Sequence, residues 1–251
     1  MTEYNDDCQA IITEYLLHYC YKDTAKAMLK DVCSLNGYTK SMEVEDNIDE
    51  VGSRAETTIP TVDWKDIDAR REILTAIKEG QIDKAFILIE KQFPKLIRIY
   101  TTINRNEKLT EETPLSTLPK LHYTLYKLRC QQFIELLRTT DVLEAIQFAQ
   151  CYLRPCSRIY ADLTNSVTPL IAYEDLESNE HTQELLSQQR RDDLADEVNE
   201  MLLESQQLPS QTALEKLWRQ KSVIQVELDS QTRIECLKNV KEQGNSDKMP
   251  M

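Results

Sequence analysis

The chain has 251 residues, 41% of them apolar and 29% charged, with a mean hydropathy of −0.52, so it can bury a sizeable core beneath a heavily solvated surface. Its 43 acidic side chains against 30 basic ones give a net charge of −13, which repels a nucleic-acid backbone or an anionic membrane and favours a basic protein surface as partner. No apolar run approaches the ~20 residues needed to cross a bilayer, and the acidic N-terminus does not read as a secretory leader.

Residues 9–34 read as two short helices. Ile11, Ile12, Tyr15, Leu16 and Tyr19 form an apolar face, and Asp23 is placed to cap a second helix whose Ala25, Met28, Leu29 and Val32 face inward. Isolated helices shorter than about 12–15 residues are marginal in water. An acidic stretch separates this pair from the rest of the chain, so no core within the chain is evident for it, and self-association or partner docking is expected there. Residues 38–61 read as that acidic linker: Glu43, Glu45, Asp46, Asp49, Glu50 and Glu56 face only Lys40 and Arg54, and Gly52 and Pro60 interrupt regular structure.

A first helical hairpin occupies residues 64–97. Trp64 to Glu79 form one helix, Gly80 supplies the left-handed residue at its end, and Ile82 to Phe93 return antiparallel. Residues 99–119, with Asn104, Asn106, Thr110, Thr113 and Pro114, read as a long polar loop. Leu121 to Leu137 then carry two apolar rows, Leu121, Leu125 and Leu128 beside Tyr126, Cys130, Phe133 and Leu137, which marks the central helix of a bundle. Asp141 and Glu144 make a capping-box pattern before Val142, Ala145, Ile146, Ala149 and Leu153. This second hairpin repeats the apolar offsets of Ile82, Ala85, Phe86, Ile89 and Phe93, so the two are expected to stack as one body with Phe86 and Ile146 in equivalent inward positions.

Leu163 to Tyr173 read as a short helix, and Leu186 to Leu203 as a longer one with Leu194, Val198, Met201 and Leu202 inward. Thr212 with Glu215 opens a last helix carrying Leu214, Leu217, Trp218 and Ile224, and residues 242–251 read as a disordered tail. The fold class is all-α.

Chemistry finds little support. The seven cysteines are scattered singly, the closest pair being Cys151 and Cys156 with no histidine nearby, so no metal site is expected and the thiols read as reduced. Gly37, Gly52, Gly80 and Gly244 form no phosphate loop. Pairs such as Asp192 and Asp196, Arg70 and Arg71, and Arg190 and Arg191 read as solvated helix faces, with an interface role open for the arginines. Catalytic residues and cofactors are expected to be none.

The spacing of Ile12, Tyr15, Leu16, Cys20, Tyr21, Thr24, Ala25 and Met28 resembles a LisH motif, with Cys20 where the family usually has Gly and Met28 where Phe is common. Arg70 through Ile97, with Ile73, Ile77, Gly80, Ile82 and Ala85, resembles a CTLH motif. Leu125, Leu128, Gln132, Phe133, Ile134, Glu135 and Leu136, followed by Glu144, Ala145, Phe148, Ala149 and Leu153, make residues 121–241 similar to a CRA segment. In this order the three motifs identify the chain as a member of the LisH-CTLH-CRA family, similar to the small scaffold subunits of GID/CTLH ubiquitin ligases. The resemblance implies an N-terminal LisH hairpin followed by an antiparallel CTLH-CRA bundle. It also implies a noncatalytic scaffold that bridges the RING module and the substrate-receptor side in ubiquitin-dependent degradation, in the cytoplasm and nucleus. The implied partners are subunits with LisH-CTLH-CRA cores, including RING-bearing and SPRY-bearing ones, in a homo- or hetero-oligomer, with no nucleic acid and no membrane. Ile12, Tyr15, Leu16, Tyr21, Ala25 and Met28 are the candidate dimerisation and partner-binding residues. The alternative is a stand-alone LisH-dimerising adaptor in cytoskeletal or trafficking regulation.

Overall fold

In a computed structural model the described residues are 2–35, 64–105, 119–139, 141–173, 176 and 180–246. Their helices are α1 (Thr2–His18), α2 (Lys22–Leu35), α3 (Trp64–Lys78), α4 (Ile82–Gln92), α5 (Pro94–Arg105), α6 (Lys120–Thr139), α7 (Val142–Phe148), α8 (Ala161–Val167), α9 (Glu180–Leu186), α10 (Gln188–Ser205) and α11 (Ala213–Ser246). A π-helical turn at Ala149–Leu153 continues α7, and tighter 3-10 turns occupy Arg154–Cys156 and Thr168–Ala172. Among the described residues there is no strand, so the all-α expectation is met.

Some expected boundaries shift. The linker at 38–61 lies outside the described residues. The polar loop expected from 99 begins later, because α5 continues to Arg105 with Leu96 and Tyr100 buried along one side; residues 106–118 lie outside the described set. The tail expected at 242–251 is helical through Ser246, one continuous α11, and residues 247–251 lie outside the described set.

Helices α1, α3 and α10 end in the same turn. Tyr21 N–H donates to Leu16 O (2.8 Å) and Cys20 N–H to Leu17 O (3.3 Å); Gln81 and Gly80 repeat this onto Ala76 and Ile77, and Leu208 and Gln207 onto Leu203 and Glu204. These paired bonds satisfy helix-end carbonyls by forcing one residue into the left-handed region, at φ 59° for Cys20, 77° for Gly80 and 61° for Gln207. Cys20 thus keeps the turn that glycine makes more cheaply. At Gly80 the glycine is doubly required, since a Cβ would sit 3.0 Å from Arg191 Nη2.

The apolar side chains form two cores. The first joins Ile73 and Ile77 of α3, Ile82, Ala85 and Ile89 of α4, Leu125 and Leu128 of α6, and Leu194, Val198 and Leu202 of α10; Cys20 and Ala25 of the N-terminal hairpin complete it. The second joins Tyr126, Cys130, Phe133 and Ile134 of α6 with Ala145, Leu153, Tyr160, Val167 and Leu170. The two rows read on α6 therefore face different cores, and α6 is their common wall.

The doubled hairpin does not form two equivalent layers. Helix α4 buries Ile82, Ala85, Phe86 and Ile89, whereas α7 buries Ala145, leaves Val142 and Leu143 exposed, and holds Ile146 half-buried. The cause is local. Within α7 Ala145 takes the core-facing position and Ile146, one residue on, lies at its flank, while the π-helical turn that follows carries Leu153 into the core.

The second core contains a polar centre. His122, fully buried, donates from Nε2 to Asn104 Oδ1 (2.8 Å) and accepts at Nδ1 from the Tyr160 hydroxyl (2.8 Å), while the Cys156 thiol donates to the same Asn104 oxygen (3.0 Å). Burial pushes the His122 pKa down from 6.5 to about 4. The unfolded chain therefore takes up a proton below pH 6.5 that the folded chain refuses until about pH 4, and stability falls through that window. By pH 5 this amounts to about 2 kcal/mol. Urea unfolding at pH 7.5 and pH 5 should show a drop larger by that amount in the parent than in His122→Gln; equal drops would remove His122 from the acid response.

Candidate docking surface

The last turn of α1 leaves carbonyl oxygens that its end turn does not fully satisfy. Arg70 of α3, 3% exposed, fills this need: Nη1 donates to His18 O (3.0 Å) and Asn199 Oδ1 (2.8 Å), and Nη2 donates to Leu17 O (3.0 Å). Asn199 of α10 donates from Nδ2 to the same His18 oxygen (3.0 Å). Arg70 makes no ion pair among the described residues, so the negative end of the α1 dipole serves as its counter-charge. Burial lowers the guanidinium pKa, opposed by Cys20 and Asp66. The end of α3 is met alike, with Gln188 Nε2 donating to Lys78 O (2.9 Å). One helix, α10, thus closes both hairpin turns.

Two expectations are corrected by this geometry. The N-terminal pair does have a core within the chain, because the body supplies both apolar cover and polar clamps. The arginine pairs are not solvated faces: Arg190 Nε donates to Gln131 Oε1 (2.9 Å), and Arg191 grips Glu135 with Nε (2.7 Å) and Nη2 (2.6 Å). Arg71 alone fits the expectation, in an exposed 3.2 Å pair with Asp23. Asp23 itself lies inside the first turn of α2 rather than ahead of it.

The hairpin also meets the start of α11. The Tyr19 hydroxyl donates to Glu215 Oε1, while Glu215 Oε2 accepts from Thr212 N–H (3.0 Å) and Thr212 Oγ1 accepts from Glu215 N–H (3.2 Å). The capping box read from sequence is therefore formed, and its carboxylate is shared with α1. Burial and the carboxylate raise the Tyr19 pKa; for Glu215 burial opposes ionisation, but the bonds from Tyr19 and Thr212 prevail and lower its pKa.

Past this first turn α11 leaves the body. Its 34 residues extend about 51 Å at the α-helical rise, and side chains from Lys216 to Asp229 are exposed. Leu217, Ile224 and Leu228 lie on one side, while Trp218, 66% exposed with the Lys221 ammonium 5.2 Å from its ring centroid, and Val223 and Val226 are exposed on others. Exposed apolar side chains grouped on one helix make it a candidate interaction site.

Among the candidate residues, Ile12 (45% exposed) and Tyr21 (52%) point outward. Tyr15, Leu16 and Met28 are half-buried, Leu16 packing against the first core and the Tyr15 ring lying 4.9 Å from that of Tyr19. Ala25 is fully buried within the chain, where it seats the hairpin. Arg70, Asn199 and the Tyr19–Glu215 contact were not legible as site residues; the Thr212 and Glu215 spacing was the one sequence signal pointing to them.

A cleft of about 410 Å³ lies beside the Gly80 turn, but its Glu135 is already engaged by Arg191, an arrangement that holds α6 to α10 rather than moving protons. Among the described residues no His, Cys, Asp and Glu group could hold a metal ion, and no helix is long and apolar enough to cross a membrane.

The CTLH family model, described as the CTLH/CRA C-terminal to LisH motif domain, matches residues 66–241. The chain is also similar to the Ran-binding protein M homolog of Arabidopsis thaliana, 23% identical over 223 residues that cover 85% of this chain and 41% of that protein. It therefore spans about two fifths of the length of that curated relative. No solved structure matches the chain.

Proposed function

Because the chain belongs to the CTLH/CRA family whose domains follow a LisH motif, we propose that it is a noncatalytic scaffold subunit of a GID/CTLH-type ubiquitin ligase, acting in the cytoplasm and nucleus. In this reading it bridges a RING-bearing subunit and the substrate-receptor side, docking subunits with the same helical core. Its family makes it a protein-interaction adaptor. The observation that carries the finer reading is the set of exposed apolar side chains on α11, together with the outward Ile12 and Tyr21 of the N-terminal hairpin.

The test is assembly. Light scattering of the parent at micromolar concentration should give at least two chains per particle. Trp218→Asp and Ile12→Asp should weaken assembly, and co-purification of a RING subunit, about tenfold or more each while leaving melting unchanged, since both side chains are exposed. A monomeric parent, or variants that assemble like it, would remove α1 and α11 from the docking role. Recovery of cytoskeletal or trafficking proteins without a RING subunit would replace the ligase assignment.

A further inference from the structure

The outer side of α4 and α5 carries a second pattern. Lys84, Ile87 and Lys91 recur at i, i+3 and i+7 on α4, and Lys95, Arg98 and Ile99 at i, i+3 and i+4 on α5. Such spacings place side chains on one face of a helix. All six are exposed, Ile87 to 64% and Ile99 to 45%, while the opposite faces bury Ile82, Ala85, Phe86 and Ile89 on α4 and Leu96 and Tyr100 on α5. Helix α5 contains no acidic residue, and on α4 the face is edged by Asp83, which Gln132 holds, and by exposed Glu90; none of the four cations makes an ion pair among the described residues, and Lys84 reaches only Gln81 Oε1, at 3.4 Å. Unpaired cations flanking bare isoleucines are out of keeping with a chain of net charge −13.

We propose that this α4–α5 face is a second docking surface, which takes an acidic amphipathic helix from a partner protein. The partner sets carboxylates against Lys84, Lys91, Lys95 and Arg98 and an apolar stripe against Ile87 and Ile99. The proposal goes beyond the α1–α11 reading, since none of these residues lies on the hairpin or on α11. The excess of Lys84, Lys91, Lys95 and Arg98 over Glu90 and the Gln132-bound Asp83 sets the sign of the partner, and the two isoleucines fix its class: a nucleic-acid backbone would satisfy the cations and leave Ile87 and Ile99 in water. Lys84 and Lys91 stand two helical turns apart, about 10 Å, which matches carboxylates spaced by seven on a facing helix. The chain's overall charge opposes a polyanion at long range, while a short acidic helix feels mainly the local field.

The probe is a fluorescein-labelled synthetic helix with one leucine stripe flanked by glutamates, titrated against the full chain by anisotropy. Binding should weaken with added salt and fall about tenfold or more in Lys91→Glu/Arg98→Glu, with Lys91→Arg retaining it and melting unchanged in both. The same leucine stripe flanked by lysines should not bind. Equal binding of the acidic helix by the charge-reversed variant would overturn the proposal, as would tighter binding of a single-stranded oligonucleotide or a phosphatidylserine vesicle. Oligomeric mass depends on α1 and α11, so it should not change in these variants; failure here and failure of the assembly reading are separable.

Discussion

Replacing Arg70 with methionine should destabilise the chain by about 3 kcal/mol. Three hydrogen bonds from a buried guanidinium are lost, each worth about 1.5–3 kcal/mol when the donor is charged. The loss falls short of their sum for two reasons. His18 O keeps its bond from Asn199 and Leu17 O its bond from Cys20, and methionine has no charge to desolvate. The change should also free the hairpin, so that hydrogen exchange in α1 and α2 quickens more than in α3 and α10. Arg70→Lys should fall between the two, because an ammonium cannot present the planar fork that spans two carbonyls and an amide. Urea unfolding followed by exchange measurements checks both parts, and an Arg70→Met protein as stable as the parent would show that apolar packing alone seats the hairpin.

Phe86→Ala should cost about 3–5 kcal/mol, and Ile146→Ala about 1 kcal/mol or less, although both stand at the same offset of the doubled hairpin. Phe86 is buried in the first hairpin and also covers Arg129, whose guanidinium carbon lies 3.7 Å from the Phe86 ring centroid and 4.4 Å from that of Tyr152. Truncation therefore opens a cavity and strips one face from a sandwiched cation. Ile146 is half-buried, so its loss removes less cover. Chemical denaturation of the two variants decides the matter, and equal losses would restore two equivalent layers.

Where helix periodicity was the only question, the sequence was a sound guide. The apolar offsets of α3 and α4 predicted their buried faces, the two rows on Leu121 to Leu137 predicted a shared central helix, and Gly80 marked a left-handed end. The failures have physical causes. Arg70 bonds to two backbone carbonyls, which every residue possesses, and to one neutral amide, so no acidic residue in the sequence announces its partner. The π-helical turn after Phe148 leaves no compositional mark, and helix periodicity gives Ala145 and Ile146 equal claims to the inward face although the core takes Ala145 alone in full. Apolar residues on a helix also read alike whether they are covered or bare: Leu214, Leu217, Trp218 and Ile224 were read on the last helix, and their exposure was not legible. The same ambiguity grouped Ala25, which turns inward, with Ile12 and Tyr21, which turn outward.

Helix α6 separates the two cores, with Leu125 and Leu128 facing one and Tyr126 and Phe133 the other. Opening either core bares one row of that helix, and a helix with half its cover is poorly held against water. The two cores are therefore bound to lose order together, and the cooperative unit is the body as a whole rather than a CTLH half and a CRA half. A chain cut on either side of α6 would leave one fragment with a bare apolar row and the other without a wall, so the motif boundaries visible in the sequence are not boundaries at which the molecule can be divided.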